Sequence, residues 1–177
     1  MEMILRTERP EDYDQVEELI RLAFEKEEMS DHQEHDLVRR LREAPDFIPE
    51  LSLVCEVDDQ LVGHILFTKI KIVADHQTTA SLALAPVSVL PKYQNRGIGS
   101  KLIEEGHRRA LALGFNSIVV LGHAAYYPKF GYQKSSTYGI QLPFEVPDEN
   151  SMIIELKPGS LKCQSAKVVY PEAFGIV

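Results

Sequence analysis

The sequence predicts a mixed α/β domain, and three observations carry that reading. Two β-rich runs, "LSLVCEV" and "LVGHILFTKIKIV", flank the short polar stretch "DDQ", which is a hairpin signal. An aliphatic run ending in "APVSVLP" then passes through a polar turn into a helix opened by Gly97 and Gly99, and "SIVVL" follows it, which makes a βαβ unit with a parallel pair. Helical spacing of apolar residues recurs in two further segments near the start of the chain.

From Pro10 to Phe24, Tyr13, Val16, Leu19, Ile20 and Ala23 fall on one helical face, with Glu11 and Asp12 in the first turn, where the helix dipole favours anions. Asp31 followed by Glu34 resembles a capping box for a second helix that carries Leu37, Val38 and Leu41 and stops before Pro45. "ASLALAPVSVL" has the composition of a central strand, yet Pro86 has no N–H to give a ladder, so a bulge or splaying of the sheet is expected there. In the next helix Ile98, Leu102, Ile103, Gly106, Ala110 and Leu113 share a face, and Gly114 ends it. Gly106 costs helix propensity, so close packing against the sheet is expected at that point. A short helix leads to Gly131, and "SMIIEL" and "AKVVY" read as late strands.

At 177 residues, 44% apolar and 26% charged, the chain has the composition of a soluble globular domain. Its apolar runs are too short for a membrane span and "MEMILRTERPEDYD" has no secretion pattern, so no membrane partner and a cytoplasmic location are expected. Cys55 and Cys163 lack framework spacing and are expected as buried or free thiols. The net charge of -8 repels nucleic acid. Against it, residues 92–109 hold Lys92, Arg96, Lys101, Arg108 and Arg109 with only Glu104 and Glu105, an arrangement that suits a compact anion or, more plainly, a solvated helix face.

Bare backbone at a helix N-terminus offers unpaired N–H groups and the positive end of the helix dipole to a phosphate. The nucleotide P-loop requires a glycine five residues before the one that precedes Lys, and it is missing here. The dinucleotide fingerprint requires a third glycine where Leu102 stands, and no acidic residue ends "SIVVL". The remaining pattern, Gln94-Asn95-Arg96-Gly97-Ile98-Gly99 after an apolar strand, resembles the [QR]-x-x-G-x-[GA] motif of the GNAT N-acetyltransferase superfamily. "YYPKFGY" is similar to that family's short helix with a tyrosine four residues before a Gly-aromatic pair, and "LGHxxYYPKFG" to a bacterial subgroup of it.

The resemblance implies the GNAT fold, a central mixed, mostly antiparallel sheet splayed near Pro86 and flanked by helices. It covers residues 1–156, with 157–177 as an extension packed on the same domain that adds a strand and a tail. It implies acetyl-CoA as cosubstrate, its pyrophosphate held by the amides around Arg96, Gly97, Ile98, Gly99 and Ser100 in the loop that includes Gln94 and Asn95, and its pantetheine arm beside the backbone of Val87 and Val89. The activity implied is acetyl transfer to a primary amine of a small molecule or protein, by a monomer or homodimer. A CoA-binding sensor without turnover is the alternative.

By the same resemblance Tyr127 is the general acid, with Tyr126 its rival should the short helix be rotated, and packing of both rings the plainer reading. A backbone N–H at Val87 or Ser88 is the oxyanion donor. His123 is the candidate base, although a lone histidine is more often a packing group. Glu27, Glu28, His32 and His35 fall in the region that lines the family's acceptor site, and otherwise form a solvated acidic loop. His32 and His35 find no third ligand, so no metal site is expected.

Overall fold

The computed structural model describes residues 2–162 and 165–176. In chain order the elements are β1 (Met3–Thr7), α1 (Tyr13–Phe24), α2 (Glu34–Glu43), β2 (Ser52–Val57), β3 (Gln60–Ala74), β4 (Gln77–Val89), α3 (Ile98–Ala112), β5 (Ser117–Leu121), β6 (Gln133–Lys134), β7 (Ile140–Gln141), β8 (Ser151–Glu155) and β9 (Ala166–Val169). One sheet runs β1-β2-β3-β4-β5-β8-β6, and β9 joins it by pairing with β3 and β7. Its pairs are antiparallel except β4 with β5 and β7 with β9, so the mixed, mostly antiparallel sheet is as expected.

The β2–β3 hairpin turns on Asp58 and Asp59, both at positive φ, and Gln60 belongs to β3 rather than to the turn. Positive φ at both central residues twists the turn to match the strands it joins. Helix α1 begins at Tyr13, after a 3-10 turn over Pro10–Asp12, and buries Val16, Leu19 and Ile20. Asp31 does not cap α2: it accepts the Gln33 N–H at 2.8 Å, the N-cap is Gln33, and the helix starts at Glu34. Its carboxylate is spent two residues before the N-cap, closing the loop ahead of the helix. Strand β1 has no counterpart among the expected elements. Cys55 is a buried free thiol whose pKa burial pushes up to about 11, and Cys163 lies outside the described residues.

Helix α3 covers one face of the sheet, where Ile98, Leu102, Ile103 and Ala110 meet Ile65, Phe67, Leu82 and Leu84. Gly106 faces Phe67 so closely that a Cβ would overlap the ring, which is the physical reason for glycine in mid-helix. Helices α1 and α2 pack Val16, Ile20, Val38 and Leu41 against Val54, Leu61 and Leu66. A third cluster gathers Ile70, Val119, Ile140, Ile153 and Val168, and Phe144, Tyr170 and Phe174 pack ring on ring at 6.1 and 5.0 Å beside it. The chain after β8 therefore closes over the far half of β3, and the Arg40 Nε donates to the Ala173 carbonyl at 3.0 Å.

Two histidines, His64 fully buried and His107 partly so, resist protonation. Burial lowers the pKa of His64 and of His107 to about 4; His64 Nε2 lies 3.1 Å from Ser52 Oγ, and His107 Nε2 lies 2.9 Å from the Tyr132 hydroxyl. Between pH 6.5 and pH 4 the unfolded chain binds protons that the folded chain refuses, so stability falls as pH falls through that window. By pH 5 the deficit is about 2 kcal/mol per histidine, so Tm is expected to drop by roughly 10 °C between pH 7 and pH 5. His107→Gln should remove about half of that slope in a thermal scan series; a Tm independent of pH above 5 would show that neither ring resists protonation.

Candidate active site

The site begins where β4 and β5 part. They pair only at Leu82 with Ile118 and at Ala83 with Val119, and β4 continues to Val89 with β3 as its sole partner among the described strands. The β3–β4 register slips between Ile65 and Phe67, opposite Ala85 and Pro86, where the Ala85–Pro86 peptide is cis. The bulge expected at Pro86 is present, and the sheet opens into a wedge just beyond it.

Pairing geometry decides which backbone groups face the wedge. The Leu90 N–H donates to the Val62 carbonyl at 2.9 Å, and the register sets Ser88 against His64. In an antiparallel ladder, alternate residues turn both backbone groups to the same neighbour, so Ser88 and Leu90 face β3 while Val87 and Val89 face the opening. The side chain of Gln94 donates to the Val89 carbonyl at 3.0 Å and braces the loop against the strand. The Val87 N–H and C=O and the Val89 N–H stay directed into the wedge.

The loop delivers α3 to the same place. Asn95 and Gly97 both take positive φ, +62° and +83°, and Gly97 is the N-cap with no side-chain cap on the helix. A Cβ at Gly97 would meet nothing, so glycine is needed there for its backbone angle alone. The first-turn amides of Ile98, Gly99 and Ser100 have no intrahelical acceptor. Arg96 lies over the Tyr93 ring at 5.4 Å, and Lys92, Arg96 and Lys101 form no ion pair among the described residues. Arg108 and Arg109 are different: both bind Glu105, at 2.6 and 2.9 Å, holding its carboxyl down at about 2, so the solvated-face reading fits that end of the helix.

The short helix after β5 is a 3-10 turn, Tyr127–Phe130. Tyr127 is 7% exposed, packed edge-on to Tyr126 and Tyr132, with Gly122 bare beneath its ring; burial raises the pKa of its hydroxyl. Tyr126 is half-buried and points elsewhere: its hydroxyl lies over the first turn of α3, 2.9 Å from where a Cβ on Gly99 would sit. The neighbouring tyrosines thus serve different surroundings.

His123 sits at the head of this turn, its carbonyl accepting the Tyr126 N–H at 3.1 Å, and its ring reaches Glu27 of the α1–α2 connection at 3.8 Å. Ninety-six residues separate the pair in sequence, and only the fold brings them together. Of the other acceptor-region residues, His32 and His35 line a cavity of about 180 Å³ with Phe24, Glu25 and Glu34, and Glu28 is exposed. No group of three metal-ligating side chains gathers among the described residues. A second cavity, about 810 Å³, is walled by residues 135–151 around Phe144 and Ser151, and none of the loop residues 94–100 lines it. Among the described residues, no helix is long and apolar enough to cross a membrane.

A splayed β4–β5 pair with a glycine loop at its mouth defines the class of acyl-CoA transferase folds, and comparison with known proteins agrees. The Acetyltransferase (GNAT) domain family matches residues 5–135, and the chain belongs to that family. It is 36% identical over 118 residues to the uncharacterised N-acetyltransferase YjhQ of Escherichia coli K12, an alignment spanning 66% of this chain and 65% of YjhQ. A GNAT family acetyltransferase of Brucella melitensis, solved in complex with acetyl-CoA, is 31% identical with a TM-score of 0.77, covering 98% of both chains. Escherichia coli YhbS, solved in complex with CoA, shares the fold with a TM-score of 0.83 at 24% identity, over 98% of this chain and 92% of that one.

Proposed function

We propose that this chain transfers an acetyl group from acetyl-CoA to a primary amine of a small molecule or protein by direct attack. The observation that carries the reading is the parting of β4 from β5 beside the uncapped first turn of α3, with the Val87 N–H turned away from β3 and Tyr127 buried in the core cluster that holds Ile98 and packs against Val87. The amides of Gly97 to Ser100 suit a diphosphate, because Gly97 takes the left-handed angle that turns the loop into the helix and Gly99 keeps a side chain off its first turn. Acetyl-CoA supplies the activated thioester. Val87 directs its N–H at the charge that develops on the carbonyl oxygen as the amine nitrogen bonds to the acetyl carbon. His123, with the Glu27 carboxylate 3.8 Å from its ring, takes the proton that the amine must lose. Tyr127, kept protonated by burial, gives its proton to the sulfur as the carbon–sulfur bond breaks, and is recharged from solvent.

Two measurements test this. Saturating CoA is expected to raise Tm by roughly 5 to 10 °C, since ligand at about 100 times Kd stabilises by about 2.7 kcal/mol. Thiol release from acetyl-CoA should depend on added amine across a panel of alkyl and aryl amines. A Tm shift with no amine-dependent thiol release would favour a CoA-binding module without turnover.

A further inference from the structure

We propose that Tyr126 is a ligand of the CoA diphosphate, its hydroxyl completing the donor set at the first turn of α3. This rests on the reading above, in which the diphosphate sits at that turn. The Tyr126 hydroxyl occupies the space a Gly99 side chain would fill, 2.9 Å from that Cβ site, and it interacts with the side chain of Ser100. A hydroxyl there faces the same anion as the unpaired amides of Ile98, Gly99 and Ser100. Gly99 thereby has a second reason to be glycine: any side chain would displace this hydroxyl as well as screen the amides.

The ring is fixed by its neighbours. Lys129 sets its ammonium 4.2 Å above the ring, and Tyr127 and Phe130 pack edge-on to it at 5.1 and 5.3 Å. The hydroxyl is therefore preorganised, and little side-chain freedom is lost when an anion arrives. Tyr126 and Tyr127 divide the work, one holding the diphosphate and the other serving the thioester. As a direct ligand of the diphosphate, Tyr126 should act on affinity for the CoA moiety.

The test is calorimetric titration of the full chain and its Tyr126→Phe variant with CoA and with dephospho-CoA, which keeps the diphosphate and lacks the 3′-phosphate. Phenylalanine keeps the ring contacts, so the fold is retained, and circular dichroism checks it. A hydrogen bond to a charged group predicts a loss of roughly ten-fold or more in affinity, equal for the two ligands. Gly99→Ala, whose methyl displaces the same hydroxyl, should weaken binding in wild type more than in the Tyr126→Phe background. Wild-type affinity in Tyr126→Phe would overturn the proposal and leave the α3 site standing. A loss with CoA but none with dephospho-CoA would also overturn it, assigning the hydroxyl to the 3′-phosphate. Failure of the wild type itself to bind CoA would instead remove the functional reading beneath it.

Discussion

Tyr127→Phe is expected to lower kcat about 10²- to 10⁴-fold while the CoA-induced rise in Tm keeps its wild-type size. The substitution deletes one oxygen and keeps a ring packed against Tyr126, Tyr132 and Gly122. Cavity and strain terms are therefore small, and the change isolates the proton. Burial raises this hydroxyl's pKa, so it is fully protonated at neutral pH, and it gives up its proton only as the departing sulfur gains negative charge beside it. Single-turnover rates with a responsive amine separate this loss from slow product release. Full turnover in the variant, with chemistry rate-limiting, would mean that the thiolate draws its proton from another donor. Tyr126 would be a poor replacement, since its hydroxyl is directed at Gly99.

Arg42→Ala is expected to destabilise the fold by about 3–5 kcal/mol, or roughly 6 to 20 °C in Tm. Arg42 binds Glu8 at 2.6 Å and Glu17 at 2.9 Å and lies 4.0 Å above the Tyr13 ring, with its side chain 5% exposed and that of Glu8 1% exposed. Removing the guanidinium leaves the Glu8 carboxylate buried, with Ser52 donating to it at 2.8 Å and with no matching cation, because burial keeps the nearby His64 neutral. The cost is that of an uncompensated buried charge more than the net worth of the pair. Urea titration of Arg42→Ala and of Arg42→Ala with Glu8→Gln measures it. The double variant should lose less than the sum of the two singles, and a single-variant loss below about 1 kcal/mol would contradict the account.

Local patterns made most of the large elements legible. Periodic apolar residues marked α1 and α3, the Asp58–Asp59 turn marked the β2–β3 hairpin, and Pro86 marked the place where the ladder breaks. Strand β1 escaped because Arg6 interrupts its short run, and it does so for a reason that lies elsewhere, pairing with Asp12 and Glu56 at 2.7 and 2.9 Å. Strands β6 and β7 are two residues each, too short for any period to register. The capping signal at Asp31 was misread because the same side-chain geometry closes a turn as readily as it starts a helix.

The site divides along the same line. Glycine spacing revealed the loop because backbone demands are written locally. The choice of Val87 over Ser88 as the inward-facing amide needed the strand register, which no single segment contains. The Glu27–His123 contact and the Tyr126 hydroxyl over Gly99 join residues far apart in sequence. The only sequence trace of the second was the doubled tyrosine itself.

We propose that the uncapped turn of α3 receives the diphosphate and the Val87 edge of β4 the thioester. A crystal structure of the chain with acetyl-CoA tests it most directly. Diphosphate oxygens are expected within about 3 Å of the amides of residues 97–100, and the thioester carbonyl oxygen at similar distance from the Val87 N–H. Acetyl-CoA bound with its diphosphate away from α3, or its thioester outside the β4–β5 wedge, would contradict it.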